Sequence, residues 1–589
     1  MLLLLGLLLT HSNLTVASPA PPDTLTARET RNLTALARAV GDLKYFYPNR
    51  HTARVSWETV LTRAIPAVRH APTDQALAAT LDRLLRPLAP GCRLAIGTGT
   101  AILPAPPAAA GFYWEHRGLG LDKAGLGLVT GLMRLGGLHY ESRIEAVSAT
   151  ETAAAFPDGP TYTEALTDSV HLTLPLVLTA AQHRLRLRYR PGRRVRQLSA
   201  ATPEQRMATV MLTWNIIRHF YPYQAVLDRA GWTEALPAAL EQAGRATTET
   251  ELLAAVRRLL ARLPDRHLSF SPLTRTGLHL TAPPLALELA WADSAVVVHR
   301  VPAGLASAVA PGAVLTHLNG QPAGPLLEAL RRTIPATSPT VARQLAARQL
   351  LPELAATAAS AAFTLRDSLG RTRTQTWAFR QLRGSHSEPL GPVREVAPGI
   401  VYLDATRLRY ADFRRALPQL QAAGALVVDV RRRPHYDLLR ILPHFTAEPL
   451  LSDSIATPLL HQPNFGHPGW LATASSPILP QLPLLTAPKV FLTGPDTYSY
   501  GETVATLVRN NRLGVLLGQA TGGTNGEMNF VSIGRAYELT FTGRRVLPQG
   551  EVYQGRGLTP DLPVMPTPSP IGRPLDATLQ QAIEWLRAQ

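Results

Sequence analysis

One stretch of this chain occurs twice, and that duplication limits the folds open to it more than any other feature. Lys44-Tyr45-Phe46-Tyr47-Pro48 is followed by Trp57, and Arg218-His219-Phe220-Tyr221-Pro222 by Trp232. The offset is 174 residues at the phenylalanines and 175 at the tryptophans, a single-residue insertion. Beyond each tryptophan, apolar residues recur at helical spacing: Leu77, Leu81, Leu84 and Leu85, then Leu252, Leu253, Val256, Leu259 and Leu260. Each copy closes on a leucine near a proline, Leu88-Ala89-Pro90 and Leu263-Pro264. Two helical modules are expected, at 25–100 and 205–272, with their aromatic residues as packing anchors. Only the second copy runs on into Asp265-Arg266-His267-Leu268-Ser269-Phe270, which adds a histidine at the end of a duplicated unit.

A chain of 589 residues with 46% hydrophobic and 17% charged residues has material for several domain cores. That composition argues against a disordered, collagen-like or multi-span membrane protein. A single cysteine, Cys92, excludes an intrachain disulfide and a cysteine-built metal centre, and no cofactor or metal is expected. The net charge of +17 invites a nucleic-acid reading, but only three of the 59 basic residues are lysines. The arginines are scattered, as in Arg184, Arg186 and Arg188 or Arg257 and Arg258, and aromatics make up 6%. Nucleic-acid binders concentrate their charge on one face, so solvated surface is the reading here and no nucleic-acid partner is expected.

Leu2 to Leu9 is an apolar run broken only by Gly6, with small residues at Val16, Ala17 and Ser18. It is too short to span a bilayer, which takes about 20 apolar residues, but it fits a secretion signal over 1–18. No cysteine lies there for lipid attachment. The expectation is an exported protein, periplasmic or extracellular in a bacterial envelope, with no integral membrane span.

Residues 101–200 read as β-rich, with alternation at His171-Leu172-Thr173-Leu174 and again from Arg184 to Arg190. Residues 273–385 hold short β runs, Val296-Val297-Val298 and Ala313-Val314-Leu315, with turn signals at Pro311-Gly312 and Asn319-Gly320. The segment from Ala310 to Gly320 resembles the centre of a PDZ domain, a module that binds peptides by strand addition. Residues 386–589 read as an α/β core. Ala425-Leu426-Val427-Val428-Asp429 has the pattern of a buried parallel strand, as do Val490-Phe491-Leu492 and Val515-Leu516-Leu517.

Between the last two strands Ser499 stands at the start of a helix, with Val504, Leu507 and Val508 on one face. Serine is a favoured N-cap, which needs no catalysis. A nucleophile also gains there, because the free N–H groups of the first turn stabilise an oxyanion. A G-x-S-x-G elbow is absent, since Thr497 and Gly501 flank the serine.

From here to the C-terminus, and back to Met207, the chain resembles the C-terminal processing (tail-specific) serine peptidases, in their tricorn-core-like Ser/His branch. The resemblance rests on Asp265-Arg266-His267, Asp429-Val430-Arg431, Ser499-Tyr500-Gly501-Glu502, the loop from Gly518 to Gly526, and Gly557-Leu558-Thr559-Pro560-Asp561, in that order. It implies a multidomain α+β protein: duplicated helical modules, a β-rich domain, a PDZ-like domain and an α/β ClpP/crotonase-like peptidase core. In the Ser/Lys branch a lysine follows the serine by about 25 residues; Thr524 stands there, and no lysine follows Lys489. Arginine stays protonated and cannot serve as base. The resemblance therefore implies Ser499 as nucleophile and His267 as base, acting on a polypeptide through an acyl-enzyme. The backbone N–H groups of Tyr500 and Arg432 would form the oxyanion hole. The branch places an orienting glutamate shortly before the terminal motif. Gln554 lies nearest here, and Glu551, three residues earlier, is taken for that role, with Glu502 assigned to its helix's first turn. A glycine expected after Asp429 is replaced by Arg431-Arg432-Arg433-Pro434-His435. Two alternatives stay open: a catalytically inactive relative that binds envelope peptides, and an esterase.

Overall fold

The computed structural model of the protein describes residues 24–97, 111–120, 140–187, 189, 194–273, 285–292, 294–383, 391–564 and 576–589. The expected signal at 1–18 lies outside the described residues. Among those described, no helix is long and apolar enough to cross a membrane.

The duplicated stretch folds twice into the same run of helices. Thr26 and Glu29 form a capping box that starts Ala27–Phe46, and Ser56 and Thr73 cap Trp57–Arg69 and Asp74–Leu85. In the second copy Thr202 caps Pro203–Phe220, Trp232–Arg245 follows, and a Thr248/Glu251 box starts Glu249–Leu260. The aromatic motifs of the copies pack against each other. Phe46 stacks on Phe220 with ring centroids 6.4 Å apart, and Tyr45 meets Phe220 edge-on at 5.0 Å. The long helices approach so closely at Gly41 that a Cβ there would fall 1.9 Å from Asn215 Oδ1. At the same junction Arg218 reaches Asp42 at 3.4 Å and Glu164 at 2.6 Å, all three side chains being at most 8% exposed.

Residues 285–383 form an antiparallel sheet with the core order Thr372–Ala378, Ser360–Arg366, Val314–Leu318, Ala295–Arg300, Glu288–Ala292. Asn319 (φ 52°) and Gly320 (φ 76°) turn the short hairpin between Val314–Leu318 and Gln321–Pro322, as an Asn-Gly pair does. Ala323–Arg331 and Pro339–Ala355 cover this sheet around Leu327, Ala346, Leu351 and Phe363.

The C-terminal region is built on a six-stranded sheet ordered Val393–Ala397, Ile400–Asp404, Ala425–Asp429, Lys489–Thr493, Val515–Gly518, Leu562–Pro563. Only the first pair is antiparallel. The three apolar runs of the sequence are its central strands, buried on both faces. A second sheet crosses the sequence-based divisions. Gly111–Arg117 and Glu141–Val147, from the β-rich stretch, join Ser454–Leu460, Tyr537–Leu547 and Glu527–Ile533 from the C-terminal region. Ser269–Pro272 adds to the Tyr537–Leu547 strand, with Thr540 opposite Ser269.

One expected strand is not formed among the described residues. His171-Leu172-Thr173-Leu174 lies in the strand Val170–Pro175, but 184–187 and 189 of the alternation beginning at Arg184 are in none, and 188 and 190 lie outside the described residues. A Thr179/Gln182 capping box instead starts a short helix, Ala180–Arg184. The carbonyls of Gln182 and Leu185 are taken by Asn49 Nδ2 at 2.8 and 3.2 Å, and that of His183 by the Arg50 N–H at 3.2 Å. With those carbonyls bound to the first helical module, no sheet partner is left for them.

The Arg218 cluster carries a stability expectation. Arg218→Ala should cost roughly 3–5 kcal/mol, because it takes the arginine from the fully buried Asp42 and the nearer of two arginines from Glu164. Arg86→Ala, which breaks the exposed pair with Asp82, should cost under about 1 kcal/mol. Urea denaturation of the two variants checks the contrast, and equal midpoints would refute it.

Candidate active site

Ser499 sits where a parallel strand hands over to a helix. Lys489–Thr493 ends in a loop pinned by Thr497, whose hydroxyl donates to Val430 O at 2.8 Å and accepts from Gly494 N–H at 3.0 Å. Tyr498 O then accepts from Gly501 N–H at 2.9 Å, which closes a tight turn with Ser499 at its corner. The serine has φ 54° and ψ −121°, a conformation that favours glycine and costs a side-chain-bearing residue on the order of 1–3 kcal/mol. Its hydroxyl makes no capping bond to the helix Tyr500–Asn510. The turn thus has the shape of a nucleophile elbow without that motif's glycine before the serine. The N–H of Tyr500, at the first helical position, has no acceptor inside the helix.

The strained turn is held by the loop after the next strand. Ser499 N–H donates to Thr524 O at 2.6 Å. The Thr524 hydroxyl accepts from the N–H of Arg266, beside His267, at 2.8 Å. One residue therefore ties down both the serine and the histidine segments. Thr524 is in turn fixed by Glu502, which is fully buried and accepts from Gly523 N–H at 2.7 Å, Thr524 N–H at 2.9 Å and the Thr521 hydroxyl. Burial pushes the Glu502 pKa up to about 7, against these hydrogen bonds, which favour the ionised form. Glu502 stands in its helix's first turn, as the sequence suggests, and its carboxylate also clasps the neighbouring loop. The terminal motif packs behind this loop. Gly557 has φ 89°, and a Cβ there would fall 2.2 Å from Thr521 O, so glycine is required by both backbone angle and space.

His267 reaches the site through the second sheet. The register that pairs Ser269 with Thr540 sets His267 beside Thr542, and its Nδ1 lies 2.9 Å from Thr542 Oγ1. The backbone N–H of His267 donates to Asp265 Oδ1 at 2.8 Å. The imidazole is buried, and its Nε2 has no hydrogen-bond partner among the described residues. Burial holds the His267 pKa below the usual histidine value, the Asp265 charge opposes that, and the Arg433 and Arg266 charges add to it. Tyr498, the residue before the serine, has its ring 6.4 Å from the imidazole and under the Arg266 guanidinium at 3.9 Å. No hydrogen bond joins Ser499 to His267 in this structure.

Glu551, expected as the orienting acid, is not the partner of His267 Nδ1. Its side chain is 45% exposed and lies 3.6 Å from Arg509, while the partner of His267 Nδ1 is Thr542. The family's position nearest the motif holds Gln554, which is buried, accepts from Asn525 N–H at 3.0 Å and contacts Tyr221 Oη at 3.4 Å. Nothing in the local pattern marks Thr542, which lies 275 residues from the histidine and is found only through strand register.

The loop after Asp429 lies against the start of the nucleophile's helix. Pro434 would sit 3.6 Å from a Cβ on Gly501, and the Tyr436 and Tyr500 rings are 4.8 Å apart. No residue of that loop has a positive φ, so arginines occupy the expected glycine's place without backbone strain. The Arg432 side chain points away to Glu288 at 2.7 Å. Among the described residues no cluster of histidine, cysteine and carboxylate could hold a metal ion.

Residues 472–564 match the family model of peptidase family S41, a segment that contains Ser499, Glu502, the Thr524 loop and the terminal motif but not His267. No curated protein matches the chain. Among solved structures, mature CPAF complexed with lactacystin is similar at 12% identity, over 66% of this chain and 97% of that one, with a TM-score of 0.49. The photosystem II D1 C-terminal processing protease is similar at 17% identity, over 61% and 93%, with a TM-score of 0.35. The tricorn protease is similar at 13% identity, over 83% and 46%, with a TM-score of 0.31. Scores of this size add no argument of their own. The strained serine turn and its clasped loop lie inside the segment that matches, so it is residues 472–564 that carry the likeness to peptidase family S41.

The Glu502 clasp is open to test without any assay of activity. Glu502→Ala should raise hydrogen exchange at the Gly523, Thr524 and Ser499 amides by about a hundredfold, measured by mass spectrometry on peptides covering them. Unchanged protection would show that the loop holds itself.

Proposed function

We propose that the chain hydrolyses peptide bonds in unfolded or tail-presenting polypeptides through a Ser499/His267 acyl-enzyme. The observation that carries this is the pairing of two unspent groups: a strained serine whose hydroxyl caps nothing, and a buried histidine with an open Nε2. Thr524 holds the backbone of Ser499 and that of Arg266, the residue before His267. Donation of Nδ1–H to Thr542 leaves the lone pair on Nε2, the tautomer a general base needs. Ser499 Oγ attacks the scissile carbonyl carbon as its proton passes to His267 Nε2. The oxyanion rests on the backbone N–H groups of Tyr500 and Arg432. The imidazolium then protonates the leaving amine, and water, deprotonated by the same nitrogen, cleaves the ester. Asp265, buried beside the imidazole, offsets the developing positive charge in place of Glu551.

The antiparallel module at 285–383 serves in this reading as a PDZ-like substrate guide, and the core as a ClpP/crotonase-like fold. Export rests on the Leu2–Leu9 run, which cell fractionation tests. A second reading, an inactive peptide-binding relative, is favoured by one observation: His267 Nδ1 faces a threonine and not a carboxylate.

Hydrolysis of an unstructured peptide library decides between them. Wild-type protein should cleave, and Ser499→Ala and His267→Ala should each lose at least about a thousandfold in kcat/KM with unchanged melting. Cleavage surviving either change would sink the dyad; no cleavage by wild type would favour the binder. The pH profile follows from the lowered His267 pKa. The base is neutral above that pKa, so kcat/KM should stay level as pH falls through 6.5 and decline only below it. A decline centred above pH 6.5 would contradict the assignment.

A further inference from the structure

The three arginines of the loop after Asp429 are not equivalent. Arg431 is neutralised by Asp429 at 2.5 Å and Asp576 at 2.6 Å. Arg432 is neutralised by Glu288 at 2.7 Å. Arg433 has no carboxylate partner among the described residues. Its guanidinium donates to Tyr436 Oη at 2.6 Å and stands 5.5 Å from that ring's centroid, on an exposed residue. The other acids around it are engaged: Asp437 with His435 and Arg440, Asp496 with Arg266 and Arg348, and Asp265 with the His267 N–H.

This free cation stands at the mouth of the site. Tyr436, which holds it, packs on Tyr500, the residue after the nucleophile, and accepts from the Tyr500 hydroxyl at its carbonyl at 3.3 Å. The neighbouring Pro434 lies against Gly501. The Arg433 charge also helps to hold the His267 pKa below its usual value. An exposed guanidinium with unused N–H donors, set in a fork, suits a carboxylate above any other peptide group.

We propose that Arg433 is a specificity-determining residue that receives a substrate carboxylate beside the scissile bond, so that acidic polypeptide is the preferred substrate. The carboxylate comes from a glutamate or aspartate side chain or from the chain end. This inference rests on the peptidase reading above.

The test uses full-length protein and quenched peptides that differ only by Glu or Gln at each position flanking the cleaved bond, each with a free or an amidated C-terminus. Wild type should prefer Glu over Gln at one position by about tenfold or more in kcat/KM, as a charge-assisted contact does. Dependence on the free C-terminus instead would assign the chain-end source. Arg433→Gln should bring the ratio near one, Arg433→Lys should keep part of it, and Arg433→Glu should turn it toward Lys-bearing peptides. Because each ratio is internal to one variant, a partly misfolded preparation does not obscure it. Ser499-dependent cleavage with no preference for acid at any position or chain end would overturn this inference alone. A preference that survives Arg433→Gln would do the same. Absence of any Ser499-dependent cleavage would overturn the peptidase reading and this inference with it.

Discussion

A buried carboxylate held by three hydrogen bonds organises the reactive end of this protein. Glu502 projects from the helix that follows Ser499 and takes up the loop at 521–524 through two backbone N–H groups and a threonine hydroxyl. That loop presents Thr524, whose carbonyl fixes the strained serine and whose hydroxyl fixes the segment bearing His267. Desolvating a carboxylate is costly, and several hydrogen bonds are the means by which a fold offsets it. The strain at Ser499 is sustained in the same way, by surrounding contacts that leave the backbone no relaxed alternative.

The segments that bear the serine and the histidine come from regions more than 200 residues apart, and two devices carry them to the Thr524 loop. One is the face-to-face packing of the repeated helical modules, in which the second copy's arginine answers an aspartate in the first. The other is the strand Ser269–Pro272, which docks on Tyr537–Leu547 and carries His267 to Thr542. The sheet that receives it also takes Gly111–Arg117 and Glu141–Val147, so the N-terminal third of the chain braces the catalytic region.

Much of this was legible in the sequence where local pattern and structure share a cause. The repeat declared itself through aromatic residues that must be buried, and the central strands through apolar runs that only a sheet covered on both faces accepts. Ser499 was legible as a helix start, and His267 as the feature distinguishing the two copies. What was not legible depends on long-range register. The alternation from Arg184 promised a strand, but Asn49 and Arg50 claim the carbonyls there. Glu551 was chosen by its distance from a motif, whereas the residue at His267 Nδ1 is set by strand pairing. Glu502 looked local because it is close to a helix N-terminus, and its true partners lie some twenty residues on. The arginine triplet stands out in the sequence as a departure from the expected glycine, and only the pairing of two of its members singles out the third.

The account turns on a serine made reactive by a histidine that no carboxylate contacts at Nδ1. Intact-mass analysis after exposure to a fluorophosphonate tests that most directly. The account predicts one adduct, on Ser499, formed by wild type and by Glu551→Ala but not by His267→Ala. Loss of the adduct in Glu551→Ala with His267→Ala still labelled would contradict it.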